Sequence, residues 1–303
     1  MKPYLATHAV QLGQLLRDNP SLTMAHYDIP ADPKLLHIYF REDIQLRALR
    51  VPRNLQSLII TPHPGPAFHD LRAPLARATA LNENQQCQNE PIRLGTQCQP
   101  KGANWVGTAG CPAKWRDRAG VLHWGYLTNW HVLSSGQFDL GTTCHQPDDS
   151  KPAFGRLAAM SPVLRDADNL VDAALADTYV SGKHTTSDEI LAIGKYADHP
   201  IVAVPGLAVK KSGRTTGYTE AKCSAVGAAV KIGYGDFDAT FIDQDVYKQT
   251  EKPFSAAGDS GSLILGSRCS CACSLLFAGG GDMTIGNPMR HVIDALGLIF
   301  PFL

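Results

Sequence analysis

The spacing of apolar positions changes about a quarter of the way along this 303-residue chain. In residues 6–17, apolar side chains recur three or four positions apart, which predicts an amphipathic helix. Strand-like runs follow at 35–40 and 58–60, with a short helix expected over 44–49. Residues 61–66 are rich in proline and glycine, which indicates a linker. We therefore expect a small accessory α/β unit over residues 1–75 and a second domain over residues 76–303.

From about residue 92 the pattern becomes typical of β structure. Short apolar runs alternate with Gly, Pro, Asp and Asn, and many short strands of this kind favour a barrel or sandwich. The runs cover residues 121–128, 171–179, 201–204, 225–232, 239–242, 263–265 and 275–278. A helix is expected after Asn287, which can cap its N-terminus, with Pro288 in the first turn.

Charge and composition exclude several classes of protein. The chain has 28 basic and 28 acidic residues, so it lacks the basic footprint of a nucleic-acid-binding protein. No run approaches the roughly 18 apolar residues that span a bilayer, and the first residues lack the apolar core of a signal peptide. We expect a cytoplasmic protein without a membrane span, in which the eight dispersed cysteines are free thiols.

Ser260 lies in the glycine-bracketed loop Gly258–Ser262, directly before an apolar strand-like run. A serine hydroxyl becomes a nucleophile only with a base to take its proton and with donors for the developing oxyanion. Gly258 has no side chain, so the N–H groups of Gly258 and Ser260 are the predicted oxyanion donors. Asp259 is expected to fix the loop through an internal ion pair. The same tetrapeptide is also ordinary turn chemistry, so the interpretation depends on partners elsewhere in the chain.

Two residues upstream can supply the base and its orienting carboxylate. His131 follows a strand-like run after a short polar break, and imidazole can accept the serine proton and return it to a leaving amine. Asp172 interrupts an apolar run, where a carboxylate is costly to bury without a partner such as a histidine N–H. The three residues occur in the order His131, Asp172, Ser260, which predicts a catalytic triad.

Over residues 92–303 the sequence resembles the chymotrypsin/trypsin-like serine peptidases, especially the bacterial ones. Leu127–Leu133 matches the histidine motif of that family, Val171–Ala174 its aspartate motif, and Gly258–Gly261 its serine motif. Lys211–Tyr218 is similar to a Ser-Gly-Arg-Thr-Thr-Gly segment of members such as α-lytic protease. Leu275–Gly281 is similar to the edge strand that pairs with substrate backbone. Residues 1–75 are similar to the small leading unit of some intracellular bacterial members.

The resemblance implies a mainly β protein with a chymotrypsin-like double β-barrel, a C-terminal helix and the small N-terminal α/β unit. It implies a serine endopeptidase that cleaves protein or peptide substrates through an acyl-enzyme, with no cofactor and no metal. A free protease inside a cell is hazardous, so we expect residues 1–75 to have a regulatory role.

The sequence departs from the animal members of the family at two places. It has no Ile-Val-Gly-Gly type terminus to pair with Asp259, so by resemblance to the bacterial enzymes we expect Lys211 or Arg214 within salt-bridge reach of this carboxylate. Phe254 occupies the position where trypsin has an aspartate that binds basic side chains. We therefore expect a small or apolar primary pocket, with Asp282 or Asn287 able to reach it. The expected substrate-binding residues are Phe254, Ala257, Ala278, Gly279 and Gly280.

Three alternatives remain open from the sequence. An α/β-hydrolase would use Ser260, Asp282 and His291, but Ser262 stands where its elbow motif needs a glycine. A metal site is the second alternative, because Cys269, Cys271 and Cys273 occupy alternate positions. Structural zinc sites, however, usually have two residues between their cysteines. A catalytically silent protease fold that serves as a binding scaffold is the third, because fold does not imply function.

Overall fold

The computed structural model describes residues 3–28, 34–41, 49–75, 81–117, 119–180, 183–197 and 199–299. The helices are α1 Pro3–Asp18, α2 Trp130–Leu133 and α3 Met289–Leu296, with 3₁₀ turns at Arg53–Leu55 and Glu83–Gln85. The strands are β1 Leu22–Tyr27, β2 Leu35–Phe40, β3 Ile59–Pro64, β4 Phe68–Asp70, β5 Ala73–Pro74, β6 Ile92–Leu94, β7 Thr96–Pro100, β8 Trp105–Ala109, β9 Cys111–Arg116, β10 Leu122–Thr128, β11 Thr143–His145, β12 Ala153–Ser161, β13 Asp168–Asn169, β14 Ala173–Asp177, β15 Tyr179–Val180, β16 Lys183–His184, β17 Thr186–Ile190, β18 Ala208–Gly213, β19 Gly217–Gly233, β20 Asp238–Gln249, β21 Leu263–Gly266, β22 Ala272–Gly280 and β23 Met283–Pro288.

The C-terminal strands close into a barrel. Strand β18 pairs with β19 on one side and with β21 on the other. The ring continues from β19 to β20, β23, β22 and back to β21, all antiparallel. Each of these strands has two neighbours within the ring, and parts of β19 and β22 pair in addition with strands from the first 75 residues.

The preceding strands form a second closed sheet, in the order β8-β7-β11-β12-β14-β10-β9. Its two ends are one run of chain, since only Gly110 separates β8 from β9 and the Gly110 N–H donates to Leu127 O. A Cβ at Gly110 would lie 1.9 Å from the backbone oxygen of Gly261, so a glycine is needed where this bend meets the loop of Ser260.

The two barrels meet in a shared apolar cluster. It joins Leu127 and Leu175 of the N-terminal barrel to Leu263 and Leu275 of the C-terminal barrel, and Val292 of α3 packs against them. Burying these side chains fixes the ends of β10 and β14 close to the start of β21. The predicted site residues lie near those ends.

The first 75 residues extend the C-terminal barrel. Strand β1 pairs with β19 at Met24↔Val230, β2 pairs with β1, and β3 lies parallel to β2 at the edge of the sheet. Helix α1 covers this extension, with Leu12 and Leu16 in one apolar cluster with Ala229 and Ile242. The boundary near residue 75 stays a prediction.

The sequence-based expectations for single elements had mixed outcomes. The first helix, β2 and the runs at 121–128, 225–232, 239–242, 263–265 and 275–278 are confirmed. The linker expected over 61–66 is wrong, because Ile59–Pro64 forms β3, an edge strand where proline is tolerated. The strand expected over 201–204 is also wrong, because Val202 and Val204 are more than half exposed along the surface. Most of the helix expected over 44–49 lies outside the described residues.

The C-terminal helix is confirmed, but its expected cap is not. Pro288 occupies the position before α3, and no side chain caps this helix. Asn287 is buried and hydrogen-bonds to Asp172 and Gln244 instead.

The mainly β architecture of two barrels with a terminal helix is confirmed. No helix in the described part of the chain is long and apolar enough to cross a membrane.

Candidate active site

His131 and Asp172 form a buried pair at the ends of two neighbouring strands. Strand β10 ends at Thr128, and the short helix α2 then presents His131, while Asp172 directly precedes β14. The Nδ1 atom of His131 lies 2.5 Å from Asp172 Oδ2, and the His131 backbone N–H donates to Asp172 Oδ1 at 3.1 Å. These two contacts fix the ring and leave Nε2 as the free side of the imidazole.

Asp172 has further partners that sequence reasoning missed. The Tyr234 hydroxyl donates to Asp172 Oδ2 at 2.7 Å, and the Asp172 backbone N–H donates to Asn287 Oδ1 at 2.9 Å. Asn129 Nδ2 donates to the Asp172 carbonyl at 2.7 Å. Burial and the adjacent Asp172 carboxylate raise the pKa of Tyr234 well above its usual range, so the phenol stays protonated and can donate. No local sequence signal marks Tyr234 or Asn287, because both reach Asp172 from parts of the chain that are distant in sequence.

The loop of Ser260 depends on its glycines. Gly258 has φ +102° and Gly261 has φ +99°, in a region that L side chains rarely adopt. A Cβ at Gly258 would lie 2.4 Å from Thr215 Oγ1, and one at Gly261 would lie 2.2 Å from the backbone oxygen of Thr108. Both positions therefore exclude larger residues by conformation and by space.

The buried carboxylate of Asp259 holds this loop in place through hydrogen bonds and an ion pair. Its carboxylate accepts the backbone N–H groups of Thr215 at 2.8 Å and Ala256 at 2.9 Å. Lys211 Nζ lies 3.5 Å from Asp259 Oδ2, and both side chains are fully buried. Burial lowers the pKa of Lys211, although Asp259 opposes that shift. Arg214 takes no direct part in this ion pair, because its Nε donates to Gln97 Oε1 at 2.7 Å.

The Ser260 hydroxyl and the free nitrogen of His131 do not bond to each other. Ser260 Oγ donates to Phe277 O at 3.1 Å and accepts the Leu71 N–H at 3.0 Å. His131 Nε2 is buried and has no hydrogen-bond partner among the described residues. The structure thus brings Asp172 and His131 together and places the Ser260 hydroxyl against the backbone of residue 71.

The two predicted oxyanion donors bind a peptide carbonyl. The N–H groups of Gly258 and Ser260 both donate to Leu71 O, the latter at 3.5 Å. Ser260 and His131 are both fully buried, and the Leu71 N–H lies directly against the Ser260 hydroxyl. The loop therefore already has the geometry that holds a carbonyl oxygen beside Ser260.

A cavity of about 130 Å³ lies next to Leu71. Gly279 and Gly280, two of the predicted substrate-binding residues, line it together with Ser255, Asp282 and Thr284. Ala278 does not line this cavity, and its backbone pairs with Asp70. Phe254 and Ala257 are placed differently from the expectation. The ring of Phe254 is buried in the core of the C-terminal barrel near Tyr247, and the Ala257 carbonyl accepts the Thr215 hydroxyl.

The cysteines do not form an alternating face on one strand. Cys269 and Cys271 are paired in a disulfide in the turn before β22, whereas the other six cysteines, including Cys273, are free thiols. The expectation of free thiols is therefore wrong for that pair. No group of three His, Cys, Asp or Glu residues within the described ranges could hold a metal ion.

No protein-family model matches this sequence, and no curated protein matches it. Among solved structures, the chain is similar to a chymotrypsin of Cellulomonas bogoriensis, at 21% identity and a TM-score of 0.49, over 70% of this chain and 99% of that one. It is also similar to protease A of Thermobifida fusca, at 19% identity and a TM-score of 0.48, over 69% and 97% of the two chains. A Nocardiopsis protease gives 19% identity and a TM-score of 0.48, over 69% and 98%.

The two closed barrels and the helix after the last strand have the architecture of the chymotrypsin-like double β-barrel. The fold expected from the sequence motifs is confirmed.

Proposed function

We propose that this chain is a serine endopeptidase in which Ser260 is the nucleophile, His131 the general base and Asp172 the residue that orients His131. One observation carries the proposal: two backbone N–H groups of the Ser260 loop already bind a peptide carbonyl oxygen. Such donors stabilise the oxyanion that forms when a serine attacks an amide.

In the proposed reaction, Ser260 Oγ attacks the substrate carbonyl while His131 Nε2 takes its proton. Asp172 holds His131 through Nδ1 and stabilises the imidazolium, with Tyr234 and Asn287 keeping Asp172 in place. His131 then gives the proton to the leaving amine, and a water molecule hydrolyses the acyl-enzyme by the same steps in reverse order. Before attack, the Ser260 hydroxyl rotates from Phe277 O towards His131 Nε2, the buried atom that lacks a partner.

A fluorophosphonate probe tests the nucleophile directly. We expect covalent labelling of the native chain, loss of labelling in Ser260→Ala and at least a hundredfold slower labelling in His131→Ala. Ser267→Ala is the matched control, because this serine has a hydroxyl without a hydrogen-bond partner in the described structure and lies outside the site. Unchanged labelling in Ser260→Ala would contradict the assignment.

A catalytically silent binding protein is the second candidate. It is favoured by the hydrogen bonds of the Ser260 hydroxyl, which engage Leu71 and Phe277 and leave His131 Nε2 unpaired. Labelling distinguishes the two: a silent scaffold stays unlabelled even when residues 68–74 are displaced from the site by substitution.

A further inference from the structure

Residues 68–74, here named the cleft segment, run across the site from one barrel to the other. Strand β4 pairs antiparallel with β22, at His69↔Gly279 and Asp70↔Ala278. Strand β5 then pairs antiparallel with β8, at Ala73↔Val106 and Pro74↔Trp105. The cleft segment is thus an added strand in both barrels, which is how an extended peptide is bound by β-addition.

Leu71 occupies the centre of the cleft segment. Its carbonyl accepts the Gly258 and Ser260 N–H groups, and its own N–H donates to Phe277 O at 3.2 Å. Its side chain packs against the apolar core of the C-terminal barrel and lies 3.0 Å from the position of a Cβ on Gly279. Gly279 therefore leaves room for leucine at the mouth of the cavity, and the next peptide bond lies beside Ser260.

Arg72, on the other side of that bond, is also held. Its guanidinium lies 5.1 Å from the centre of the Trp105 ring and donates to Ser135 Oγ at 2.5 Å and to the Tyr234 carbonyl at 3.2 Å. Its Nε lies 3.2 Å from the Asp70 carboxylate. Both residues that flank the bond are therefore fixed by side-chain contacts as well as by the backbone.

We propose that the cleft segment is the chain's own substrate and that the Leu71–Arg72 peptide bond is a site of self-cleavage; this rests on the proposed function. Ser260 Oγ bonds to the Leu71 carbonyl carbon, the bond to the Arg72 nitrogen breaks, and His131 delivers the serine proton to the new Arg72 amine. Water then hydrolyses the Leu71 ester, which yields a Leu71 carboxylate and free Ser260.

The same contacts assign a substrate class to the site. A substrate in the position of the cleft segment has a leucine before the cut bond, an acidic residue before that leucine and an arginine after the bond. Until the bond is cut or the segment leaves, external peptides are excluded, because Ser260 and His131 are both fully buried.

Intact mass spectrometry and N-terminal sequencing test the cleavage. During incubation of the purified full chain, we expect two products, one that ends at Leu71 and one that begins at Arg72. They should form in the native chain and in Ser267→Ala, but not in Ser260→Ala. A native chain that hydrolyses added peptides while its Leu71–Arg72 bond stays intact would overturn this inference and leave the proposed function standing.

Displacing the cleft segment provides an independent readout. Leu71→Asp places a charge against apolar core, so we expect fluorophosphonate labelling to become faster by roughly tenfold or more. Ile59→Asp is the matched control, because Ile59 belongs to the same N-terminal unit but is 66% exposed, and its labelling rate should not change. The milder variant Leu71→Ala should give a smaller increase in the same direction.

A peptide that copies residues 66–75 completes the test. We expect Leu71→Asp enzyme to cut this peptide after the leucine that corresponds to Leu71, and to leave a peptide with aspartate at that position uncut. Equal labelling of native chain and both Leu71 variants, or cutting at another bond, would overturn the inference. Absence of labelling in every variant would overturn the proposed function as well.

Discussion

At the scale of single residues, the position of His131 depends on how Asp172 is held. The Asp172 carboxylate accepts hydrogen bonds from the His131 ring, the His131 backbone N–H and the Tyr234 hydroxyl. The carboxylate and its three partners are all buried. Hydrogen bonds to a charged acceptor contribute more than neutral ones, about 1.5–3 kcal/mol each. In the proposed mechanism, Tyr234 is therefore a positioning residue that acts through Asp172 rather than on substrate.

Tyr234→Phe should lower kcat/KM by about tenfold, because it removes one donor to Asp172 and keeps the ring. The loss should appear in kcat with little change in KM, since Tyr234 acts through Asp172. Steady-state kinetics on a leucine-containing peptide checks this, with the exposed Tyr218→Phe as control. Equal kcat values for the two variants would contradict a positioning role.

The buried ion pair between Lys211 and Asp259, the residue before Ser260, is a second feature at this scale. Asp259 and Lys211 are completely buried, so removal of one charge leaves the other without compensation. This differs from the pair of Lys248 and Asp282, in which both side chains are about half exposed.

Asp259→Asn should therefore lower the free energy of unfolding by about 3–5 kcal/mol. Asp282→Asn, the matched control, should cost less than about 1 kcal/mol, because water already solvates both partners. Chemical denaturation at neutral pH measures both values. If Asp259→Asn lowered the free energy of unfolding as little as the control does, the buried pair would contribute little to stability.

At the scale of elements, the strands of the N-terminal extension carry a ladder of histidines. His26, His37 and His63 lie on β1, β2 and β3, with the ring of Tyr39 stacked between His26 and His63. His37 Nδ1 lies 2.9 Å from His63 Nε2. Burial, together with the neighbouring His37 and His63, lowers the pKa of His26 to about 4, opposed in part by the Tyr27 carbonyl and Asp28.

This ladder should make the protein sensitive to acid. The pKa of His26 is near 6.5 in the unfolded chain and about 4 in the folded one, so the unfolded chain binds more protons between those values. The free energy of unfolding should therefore fall as pH is lowered from 6.5 to 4. His26→Gln should weaken this dependence, as followed by denaturant midpoints across that range. An unchanged slope would contradict the assignment.

Strand β20 carries a group with the opposite effect. Asp245 is buried, accepts the Ser274 hydroxyl at 2.6 Å and has one oxygen without a partner in the described structure. Desolvation raises its pKa to about 7, from 3.8 in the unfolded chain, so the folded chain binds more protons between these values.

Asp245 should therefore lower the free energy of unfolding as pH rises from about 4 to about 7, by about 1.4 kcal/mol per pKa unit at most. Asp245→Asn keeps the shape of the side chain and removes the charge. It should stabilise the protein at pH 8 and change little at pH 4, as measured by denaturation at both values. Destabilisation at pH 8 would contradict this account.

At the scale of the whole molecule, the N-terminal extension shares one sheet and one apolar cluster with the C-terminal barrel. Strand β1 continues the C-terminal barrel through β19, and Leu12 and Leu16 of α1 pack with Ala229 and Ile242. Lys231 Nζ also donates to the carbonyls of Leu16 and Pro20, at 3.2 Å each. These contacts do not depend on the covalent link at residue 71.

A chain that begins at Arg72, made alone, should consequently melt about 10 °C or more below the same chain made together with residues 1–71. The shortened chain loses several kcal/mol of stability from apolar burial. Each kcal/mol lost lowers the melting temperature by roughly 2–4 °C in a domain of this size. Calorimetry compares the two, and size-exclusion chromatography should show the two pieces eluting together. Equal melting temperatures would show that the extension is independent of the barrels.

Most strands of the C-terminal barrel and the glycine-bracketed loop before β21 could be predicted from the sequence alone, because their signals are local. The Ser260 loop needs its glycines within four residues, and the strands near His131 and Asp172 are short apolar runs. The pairing of Lys211 with Asp259 was expected only through the family resemblance. Phe254 was assigned to the pocket from its position before Ser260, whereas packing placed its ring in the core.

The sequence by itself determined the residue types of the site and the β character of the chain, since a few neighbouring residues specify a tight loop or a strand. Only the tertiary structure decided what surrounds them. Tyr234 and Asn287 reach Asp172, and Leu71 reaches Ser260, across separations of 62, 115 and 189 residues. Such contacts leave no periodicity to read, because they arise where β-sheets close and bring distant strands side by side.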